Sequence, residues 1–319
     1  MFYVQNSITN KSNIMKKQTL IYGMIALMGI FILTGCEKEE EEMKAVADMT
    51  IAEYASSNSN FSILVDALAK AELVNVLNGT GNFTVFAPTN AAFTSLFSEL
   101  GISGIDALSK ETLTPILLYH VLGTEAKSSM ISTGYFNTLS PAQGSYLSLK
   151  ADVSSGVKLN KTTNVTAADV DVKNGVIHVI DRVLLPPTVV DIALANDSFS
   201  ILVQAVVKAN LVNALSAAGP FTILAPTDAA FQALFTTLGV SGIADLTAEQ
   251  LTPILTYHVV SGNVLSTQLQ AGNVPTLNGG SLSVSLSPSP TINGSTGIIA
   301  TDVQASNGVI HVIDKVLLP

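Results

Sequence analysis

Asn174-Gly-Val-Ile-His-Val-Ile-Asp181 occurs twice in this chain, the second time as Asn307-Gly-Val-Ile-His-Val-Ile-Asp314. An Asn-Gly turn signal followed by a dense apolar run predicts a tight turn that leads into a buried β-strand. Upstream of each copy, the segment Leu-Thr-Pro-Ile-Leu begins at Leu113 and again at Leu251, and Tyr-His-Val follows soon after. A repeat of about 135 residues exceeds the roughly 20 to 50 residues of solenoid units, so the spacing indicates two whole domains.

The repeats predict one domain at 49–186 and a second at 187–319. A chain of 319 residues is long enough for about two domains. The junction, Leu185-Pro186-Pro187-Thr188, contains two prolines, which restrict the backbone and predict a semi-rigid pair. With 48% hydrophobic and 12% charged residues, the composition is typical of a globular protein and not of a disordered one.

Each predicted domain changes its pattern of apolar residues about half-way along. The first half follows a 3.6-residue period, as at Phe61 and Leu64, which predicts helices. Asn90 and Asp228 precede short helical patterns and are predicted N-caps, while Pro115 is expected near the first turn of a further helix. The second half has short alternating runs between Gly, Asn and Ser, which predict antiparallel strands. Each domain is therefore predicted to be α+β.

The N-terminus has the features of a secretory signal. Two lysines precede a continuous apolar run at 20–33, and small residues follow it. This run is shorter than the roughly 20 residues that a transmembrane helix needs. The signal is predicted to occupy 1–35, and Met15 is then a better start than Met1.

The signal ends in Leu33-Thr-Gly-Cys36, which resembles a bacterial lipobox and predicts lipidation of Cys36, the only cysteine. The alternative is a short membrane anchor with an incidental cysteine. An acidic run at 37–42 follows, so 36–48 is predicted to be a solvated, extended tether. The run also resembles the surface-export signal of some Gram-negative lipoproteins, with a plain spacer as the alternative. The predicted location is the outer membrane of the bacterial cell envelope, with surface exposure if the run acts as that signal.

Three motifs occur in the same order in both copies and resemble those of the fasciclin family. Phe86-Ala-Pro-Thr-Asn-Ala-Ala-Phe93 resembles its first motif, and Asn174 to Asp181 resembles its second. Tyr119-His120 resembles the Tyr-His pair between them. The second copy has the set at 224–231, at Tyr257-His258 and at 307–319. The resemblance implies two tandem domains, each a wedge of β-strands with a helical layer, and adhesion or matrix binding outside the cell.

All four histidines are paired across the repeats, His120 with His258 and His178 with His311. A metal site would need Asp169 or Asp302 as a further ligand. However, 58 residues separate His120 from His178, and neither has a local His or Cys partner. The pattern favours histidines inside the core, with one ring nitrogen of His178 donating and the other accepting, and no metal is predicted.

Signals of catalysis and of nucleic-acid binding are weak. The chain has no Gly-x-Ser-x-Gly motif, and its one cysteine is assigned to the lipid. Asp169 and Asp171 alternate along a predicted strand, which places their carboxylates on opposite faces. A net charge of -9 with a single arginine argues against a nucleic-acid surface. We expect no enzyme activity, no cofactor and no nucleic-acid partner.

The resemblance to the fasciclin family supplies most candidate partner-binding residues. Animal matrix members of the family bind integrins near the Tyr-His pair and through an Asp-Ile dipeptide five residues before the Asn-Gly turn. This chain has Val in place of that Ile. The corresponding candidates are Tyr119, His120, Asp169 and Val170, with Tyr257, His258, Asp302 and Val303 in the second copy. The alternative for these residues is turn capping and core packing.

The two copies differ most in the first hairpins of their strand-rich halves. The first copy has Tyr135, Phe136 and Tyr146, whereas the second has Asn273 and Val274 in that region. Aromatic side chains on exposed loops are candidate anchors for a partner, with ordinary packing as the alternative.

These features predict a lipid-anchored envelope protein that binds an extracellular protein or polysaccharide through tandem fasciclin domains. The alternative is a carrier of a small apolar ligand in a groove between the helical and strand layers. An apolar pocket of several hundred Å3 would favour the carrier.

Overall fold

The computed structural model describes residues 45–319. The chain divides into two units, Met1–Met49 and Thr50–Pro319, and the second unit contains both repeats. The predicted signal, Cys36 and the acidic run lie outside the described residues. Residues 45–47 are helical, so the prediction of an extended tether is wrong for this part of 36–48. None of the described helices has the length and apolar character needed to cross a bilayer.

Domain 1 is mainly helical up to Tyr119 and mainly β-strand after it, which confirms the predicted α+β class. Its helices are α1 (Ile51–Ser57), α2 (Ser62–Lys70), α3 (Val74–Asn78), α4 (Asn90–Leu100) and α5 (Lys110–Tyr119). Its strands are β1 (Phe83–Pro88), β2 (Val121–Leu122), β3 (Gly134–Ala142), β4 (Ser145–Asp152), β5 (Lys158–Leu159), β6 (Thr163–Val172) and β7 (Gly175–Ile180). Short 3-10 turns lie at Ser59–Phe61, Ile105–Ala107 and Ser128–Met130.

Domain 2 repeats this order of elements. Its helices are α6 (Val189–Leu194), α7 (Ser200–Lys208), α8 (Val212–Ser216), α9 (Asp228–Leu238) and α10 (Ala248–Tyr257). Its strands are β8 (Phe221–Pro226), β9 (Val259–Ser261), β10 (Gly272–Pro275), β11 (Ser281–Ser285), β12 (Thr291–Ile292), β13 (Thr296–Ala305) and β14 (Gly308–Ile313). Its 3-10 turns lie at Asp197–Phe199, Ile243–Asp245 and Ser266–Gln268.

The two sheets have different closures. In domain 1 the strands form a closed barrel in the order β1 to β7, in which the parallel pair β1–β7 brings the first and last strands together. In domain 2 the seven strands form a sheet in the order β10-β11-β12-β13-β14-β8-β9, with β10 and β9 at its edges. The parallel pair β8–β14 matches β1–β7. The helices of each domain pack beside this central parallel pair.

The repeated Asn-Gly stretch connects the helices to the sheet. Gly175 has a φ of +149°, and a Cβ there would lie 2.0 Å from the Phe83 carbonyl oxygen, so only glycine fits. The Asn174 side chain accepts from the Ile51 N–H at 2.9 Å. Its Nδ2 donates to the carbonyls of Leu77 at 2.7 Å and Gly79 at 2.9 Å. One amide therefore fixes the ends of α1 and α3 against the turn before β7.

Three predicted helix positions, those of Asn90, Asp228 and Pro115, are wrong by a short shift. Thr89 and Thr227 are the N-caps of α4 and α9, because each hydroxyl accepts from the backbone N–H three residues later. Asn90 is the first residue of α4, and its side chain accepts from the Ile63 N–H on α2 at 3.0 Å. Asp228 does the same for α7. Pro115 lies well inside α5 rather than in its first turn.

Candidate binding site

The Tyr-His pair of domain 1 is buried. The Tyr119 hydroxyl donates to the Ser148 carbonyl and accepts from Asn160 Nδ2, both at 3.0 Å. Burial raises the pKa of Tyr119 well above its ordinary value. His120 Nε2 accepts from the Leu184 N–H at 2.9 Å, which leaves Nδ1 to donate to the Ile116 carbonyl at 2.7 Å. Both side chains therefore connect α5 to distant backbone and present no contact surface.

Domain 2 repeats these connections. Tyr257 donates to the Ser281 carbonyl at 2.9 Å, and His258 Nε2 accepts from the Leu317 N–H at 2.9 Å. Burial without a charged partner lowers the pKa of both His120 and His258 to about 4. Both imidazoles are therefore neutral at physiological pH.

The prediction of a core histidine on the repeated strand is confirmed. His178 Nδ1 accepts from the Asp169 N–H at 3.2 Å, and Nε2 donates to the Ala126 carbonyl at 2.9 Å. His311 makes the same pair of contacts with Asp302 and Val264. Within residues 45–319, no group of three or more His, Cys, Asp or Glu side chains is arranged to hold a metal ion.

Asp169 occupies an irregular position on β6. Its φ of +61° is left-handed, and the pairing with β7 shifts register on either side of Ala167. Its carboxylate accepts from the Ser128 N–H at 2.7 Å and from the Ser128 hydroxyl. Partial burial raises the pKa of Asp169, but these two hydrogen bonds outweigh burial and lower it overall. Asp171 pairs with the neighbouring Lys127 at 3.0 Å, so the two carboxylates contact one segment and the prediction of opposite faces is wrong.

The Asp-Val candidates are only partly accessible. The Asp169 side chain is 38% exposed, while Val170 is half-buried. In domain 2, Asp302 accepts from Ser266 in the same way, and Val303 is buried. A partner could reach the two aspartates but not Val303, and their partner-binding role stays a prediction.

The three predicted aromatic anchors have three different environments. Tyr135 packs against the core of domain 2, and its hydroxyl accepts from Asn196 Nδ2 at 3.1 Å. Burial raises the pKa of Tyr135 to about 12. Phe136 packs inside the barrel of domain 1. The prediction of exposed rings is therefore wrong for these two residues, because β3 directs one ring to each domain. Tyr146 is 51% exposed and remains available.

Polar contacts join the two domains around Tyr135. The Gln304 N–H on β13 donates to the buried Ser148 hydroxyl on β4 at 3.0 Å. Lys161 Nζ donates to Asp197 at 2.6 Å across the interface. The residues of this interface were not predicted from the sequence. The sequence difference at this point is Lys161 in the first copy against Gly294 in the second, at a turn where both residues have a left-handed φ.

A cleft of about 480 Å3 lies between the two domains. The Pro186-Pro187 junction lines it, together with residues from β3, β4 and the β5–β6 turn. Its polar lining includes Tyr135, Ser148, Lys150, Asn160, Lys161 and Arg182. No local sequence pattern predicts this cleft, because its walls come from separate parts of the chain.

Domain 2 contains apolar space that domain 1 lacks. A cavity of about 140 Å3 lies between its helices and strands, where the corresponding cavity in domain 1 is about 20 Å3. Val206 on α7 lines the larger cavity, and the larger Leu68 on α2 occupies the same position in domain 1. This substitution contributes to the difference in cavity volume. A second cavity of about 190 Å3 opens into the sheet of domain 2 beside Leu224 and Val274.

The paired α+β domains and their duplicated motifs define a tandem fasciclin-domain architecture. The fasciclin domain profile matches residues 59–186 and 197–319, and the chain belongs to the fasciclin family. Fasciclin domains are associated with cell adhesion and matrix interaction in homologues, and the family is generally non-enzymatic.

Similar proteins come from bacteria and animals. Protein sll1483 of Synechocystis is 46% identical over 132 residues, which cover 41% of this chain and 73% of that protein. The porcine transforming growth factor-beta-induced protein ig-h3 is 32% identical over 273 residues, or 85% of this chain. The chain spans only 38% of the porcine protein's length.

A solved structure has the same fold. The FAS1 domain pair of the insect cell adhesion molecule Fasciclin I aligns with a TM-score of 0.51 at 20% identity. The alignment covers 82% of this chain and 98% of the insect chain. The likeness at this identity concerns the fold alone.

Proposed function

We propose that this protein is a lipid-anchored adhesion protein of the bacterial envelope that binds an extracellular protein or polysaccharide through its domain pair. The observation that carries the proposal is the fixed docking of two fasciclin domains. Contacts such as Ser148–Gln304 and Lys161–Asp197 hold the domains in one orientation. A preorganised pair can present a composite surface to a large partner without a further ordering cost.

The shared motifs support binding rather than catalysis. All four histidines are buried, and one ring nitrogen of each donates to a backbone carbonyl. A general base must lie within reach of the proton that it removes. The motif residues therefore act as framework, and adhesion uses the surfaces on which the two copies differ.

The anchor is Cys36, and the acidic run at 37–42 directs the protein to the cell surface. Protease accessibility on intact cells tests this part of the proposal. Wild-type protein should be cleaved from outside, whereas deletion of 37–42 should protect it. Cys36→Ser should release the protein from the membrane fraction and serves as the control for anchoring. Protection of the wild-type protein would contradict surface adhesion.

The apolar cavity of about 140 Å3 in domain 2 is smaller than the several hundred Å3 expected of a carrier, and it supports only a second candidate of narrower scope, the binding of a very small apolar molecule. The cavity lies between the helical and strand layers, as the carrier hypothesis requires. Its volume is below the roughly 300 to 1,000 Å3 of sites for drug-sized ligands, so a ligand about the size of benzene is the limit.

The two domains supply a matched test of this second candidate. Benzene binding to the full-length protein, followed by the chemical shifts of methyl groups, should perturb domain 2 and not domain 1. Val206→Leu introduces the domain 1 residue, reduces the cavity and should weaken the perturbation. Leu68→Val is the reciprocal change in domain 1. Equal perturbation of both domains in the wild type would contradict a site specific to domain 2.

A further inference from the structure

We propose that the cleft between the two domains binds a carboxylate-bearing saccharide, such as a short chain of uronic acid units. This proposal rests on the adhesion function and deepens it, because it names the kind of polysaccharide that the domain pair recognises.

The cleft has the size and rigidity of a ligand site. Its volume of about 480 Å3 falls in the range of roughly 300 to 1,000 Å3 for small-molecule sites, which occur preferentially at domain interfaces. Hydrogen bonds from Gln304 to Ser148 and from Asn196 to Tyr135 fix its two walls relative to each other. The site therefore exists before a ligand arrives, which reduces the entropic cost of binding.

Basic side chains converge on this cleft although the chain as a whole carries a net charge of -9. Lys150, Lys161 and Arg182 line it, against the acidic Glu99 and Asp191. The Asp191 carboxylate is occupied, since it accepts from the Thr188 N–H at 2.9 Å and from the Thr188 hydroxyl at 2.7 Å. Both carboxylates keep their negative charge, so the three cations leave the lining with a net charge of +1. Lys161 is paired with Asp197, so Lys150 and Arg182 are the cations that can contact a ligand.

Within residues 45–319, Lys150 and Arg182 have cationic N–H groups that no protein acceptor uses. The Arg182 side chain is 56% exposed, and its ion pair with Glu99 is long at 3.7 Å. Lys150 Nζ lies 5.2 Å from the centre of the Tyr135 ring, which positions the ammonium without neutralising it. A guanidinium presents a planar fork of N–H groups that matches a carboxylate, and a nearby ammonium strengthens such a contact.

The rest of the lining suits a sugar ring. The Tyr135 hydroxyl accepts one hydrogen bond from Asn196 in domain 2, so it keeps a proton that it can donate to a ligand. Leu185 and Leu194, which are 43% and 50% exposed, add apolar edges against which the C–H face of a sugar can pack. This mixture of donors and apolar edges distinguishes the cleft from a site for a bare inorganic anion.

The second copy does not carry this set of residues. The register of its strands places Asn273 where domain 1 has Tyr135, and Ser283 where domain 1 has Lys150. The turn that holds Lys161 in domain 1 has Gly294 in domain 2. The cations therefore belong to the one cleft that both domains form together, and not to the fasciclin framework.

Calorimetric titration of the full-length protein in detergent micelles tests the proposal, with trigalacturonate as the probe. Wild-type protein should bind it, and maltotriose, a neutral trisaccharide of similar size, should bind at least tenfold more weakly. Arg182→Gln and Lys150→Gln should each weaken trigalacturonate binding about tenfold, because each removes a charge-assisted contact. Lys315→Gln, the counterpart of Arg182 in domain 2, removes the same charge outside the cleft and should keep wild-type affinity.

Three results would overturn the proposal. The first is that wild-type protein does not bind trigalacturonate, and the second is that it binds maltotriose equally well. The third is that Arg182→Gln and Lys150→Gln both keep the wild-type affinity for trigalacturonate while their melting temperatures equal that of the wild type. Surface adhesion of cells that express Arg182→Gln distinguishes the saccharide site in the cleft from the adhesion function proposed for the whole protein. If wild-type protein mediates surface adhesion but does not bind trigalacturonate, the saccharide site in the cleft is rejected and the adhesion function stands. If the protein binds trigalacturonate but is absent from the cell surface, the adhesion function is rejected and the saccharide site stands.

Discussion

The pairing of strands closes into a barrel in domain 1 and is interrupted between β9 and β10 in domain 2, although the two share every family motif. In domain 1, β3 spans Gly134–Ala142 and pairs with β2 at Leu122↔Thr138. In domain 2 the corresponding strand is only Gly272–Pro275 and pairs with β11, while just beyond it the Leu277 N–H donates to the Val259 carbonyl on β9 at 2.8 Å. The difference shows that the motifs determine the central strands and the helical layer, whereas the length of a variable hairpin decides how continuous the strand pairing is.

The side chains inside the two sheets differ in size in the same way as the sheets differ in strand pairing. Phe86 stacks on His178 inside the closed barrel, with ring centroids 5.6 Å apart. Domain 2 has Leu224 at the position of Phe86 and Val274 at that of Phe136, and these smaller side chains border the cavity of about 190 Å3. The second copy has therefore retained the fold with a less completely filled interior.

The largest expected effect concerns a feature that both domains share. Asn174→Ala leaves one backbone N–H and two carbonyls without their partner and should lower the free energy of unfolding by about 3 to 5 kcal/mol. Asn307 makes the same three contacts, so Asn307→Ala should cost a similar amount. Urea denaturation with hydrogen exchange of each domain measures both values. A cost confined to one domain would show that the two amides are not equivalent.

Acid should destabilise both domains in parallel. The pKa of His120 and of His258 is about 4 in the folded protein, below the ordinary value of 6.5, so the unfolded chain binds protons more readily. Stability is fully present above pH 6.5 and falls as the pH is lowered towards 4, by about 3 kcal/mol for each histidine. Thermal unfolding between pH 7 and pH 4 measures the slope. Replacing His120 by Gln should flatten that slope in domain 1 and leave domain 2 unchanged.

Exchange of one interior residue should have opposite effects in the two domains. Phe86→Leu opens space in the closed barrel and should cost about 1.5 kcal/mol. Leu224→Phe enters existing space and should stabilise domain 2 by about 0.5 to 1 kcal/mol. Differential scanning calorimetry of both variants gives the comparison. A loss of stability in Leu224→Phe would mean that the open sheet cannot accommodate the ring.

The smallest effect should come from the turn between β5 and β6. Lys161→Gly introduces the residue that domain 2 has at this position. The change removes backbone strain of about 1 kcal/mol from the left-handed conformation of Lys161. It also removes the exposed ion pair with Asp197, which contributes less than about 1 kcal/mol. The free energy of unfolding should therefore change by under 1 kcal/mol, while the domain interface becomes looser. Faster hydrogen exchange at Ser148 and Gln304, with an unchanged melting temperature, is the expected result. Unchanged exchange would show that the ion pair does not help to hold the domains together.

Local signals predicted the framework well and the surfaces poorly. The Asn-Gly stretch predicted a turn and a buried strand, and both occur because only glycine fits beside Phe83. The core position of His178 followed from its apolar neighbours. Tyr135 and Phe136 could not be placed from sequence, since the burial of Tyr135 depends on a second domain packed against it. The opposite-face prediction for Asp169 and Asp171 failed because a β-bulge breaks the alternation of a regular strand.

By itself, the sequence determined the family, the duplication and the α+β order of elements, because turn chemistry and apolar periodicity act over a few residues. Only the tertiary structure decided which barrel closes, where the domains meet and which polar side chains face the cleft. Those features depend on contacts between residues far apart in the chain, such as Ser148 and Gln304. No local pattern encodes such contacts, because their energy exists only after both domains have folded and docked.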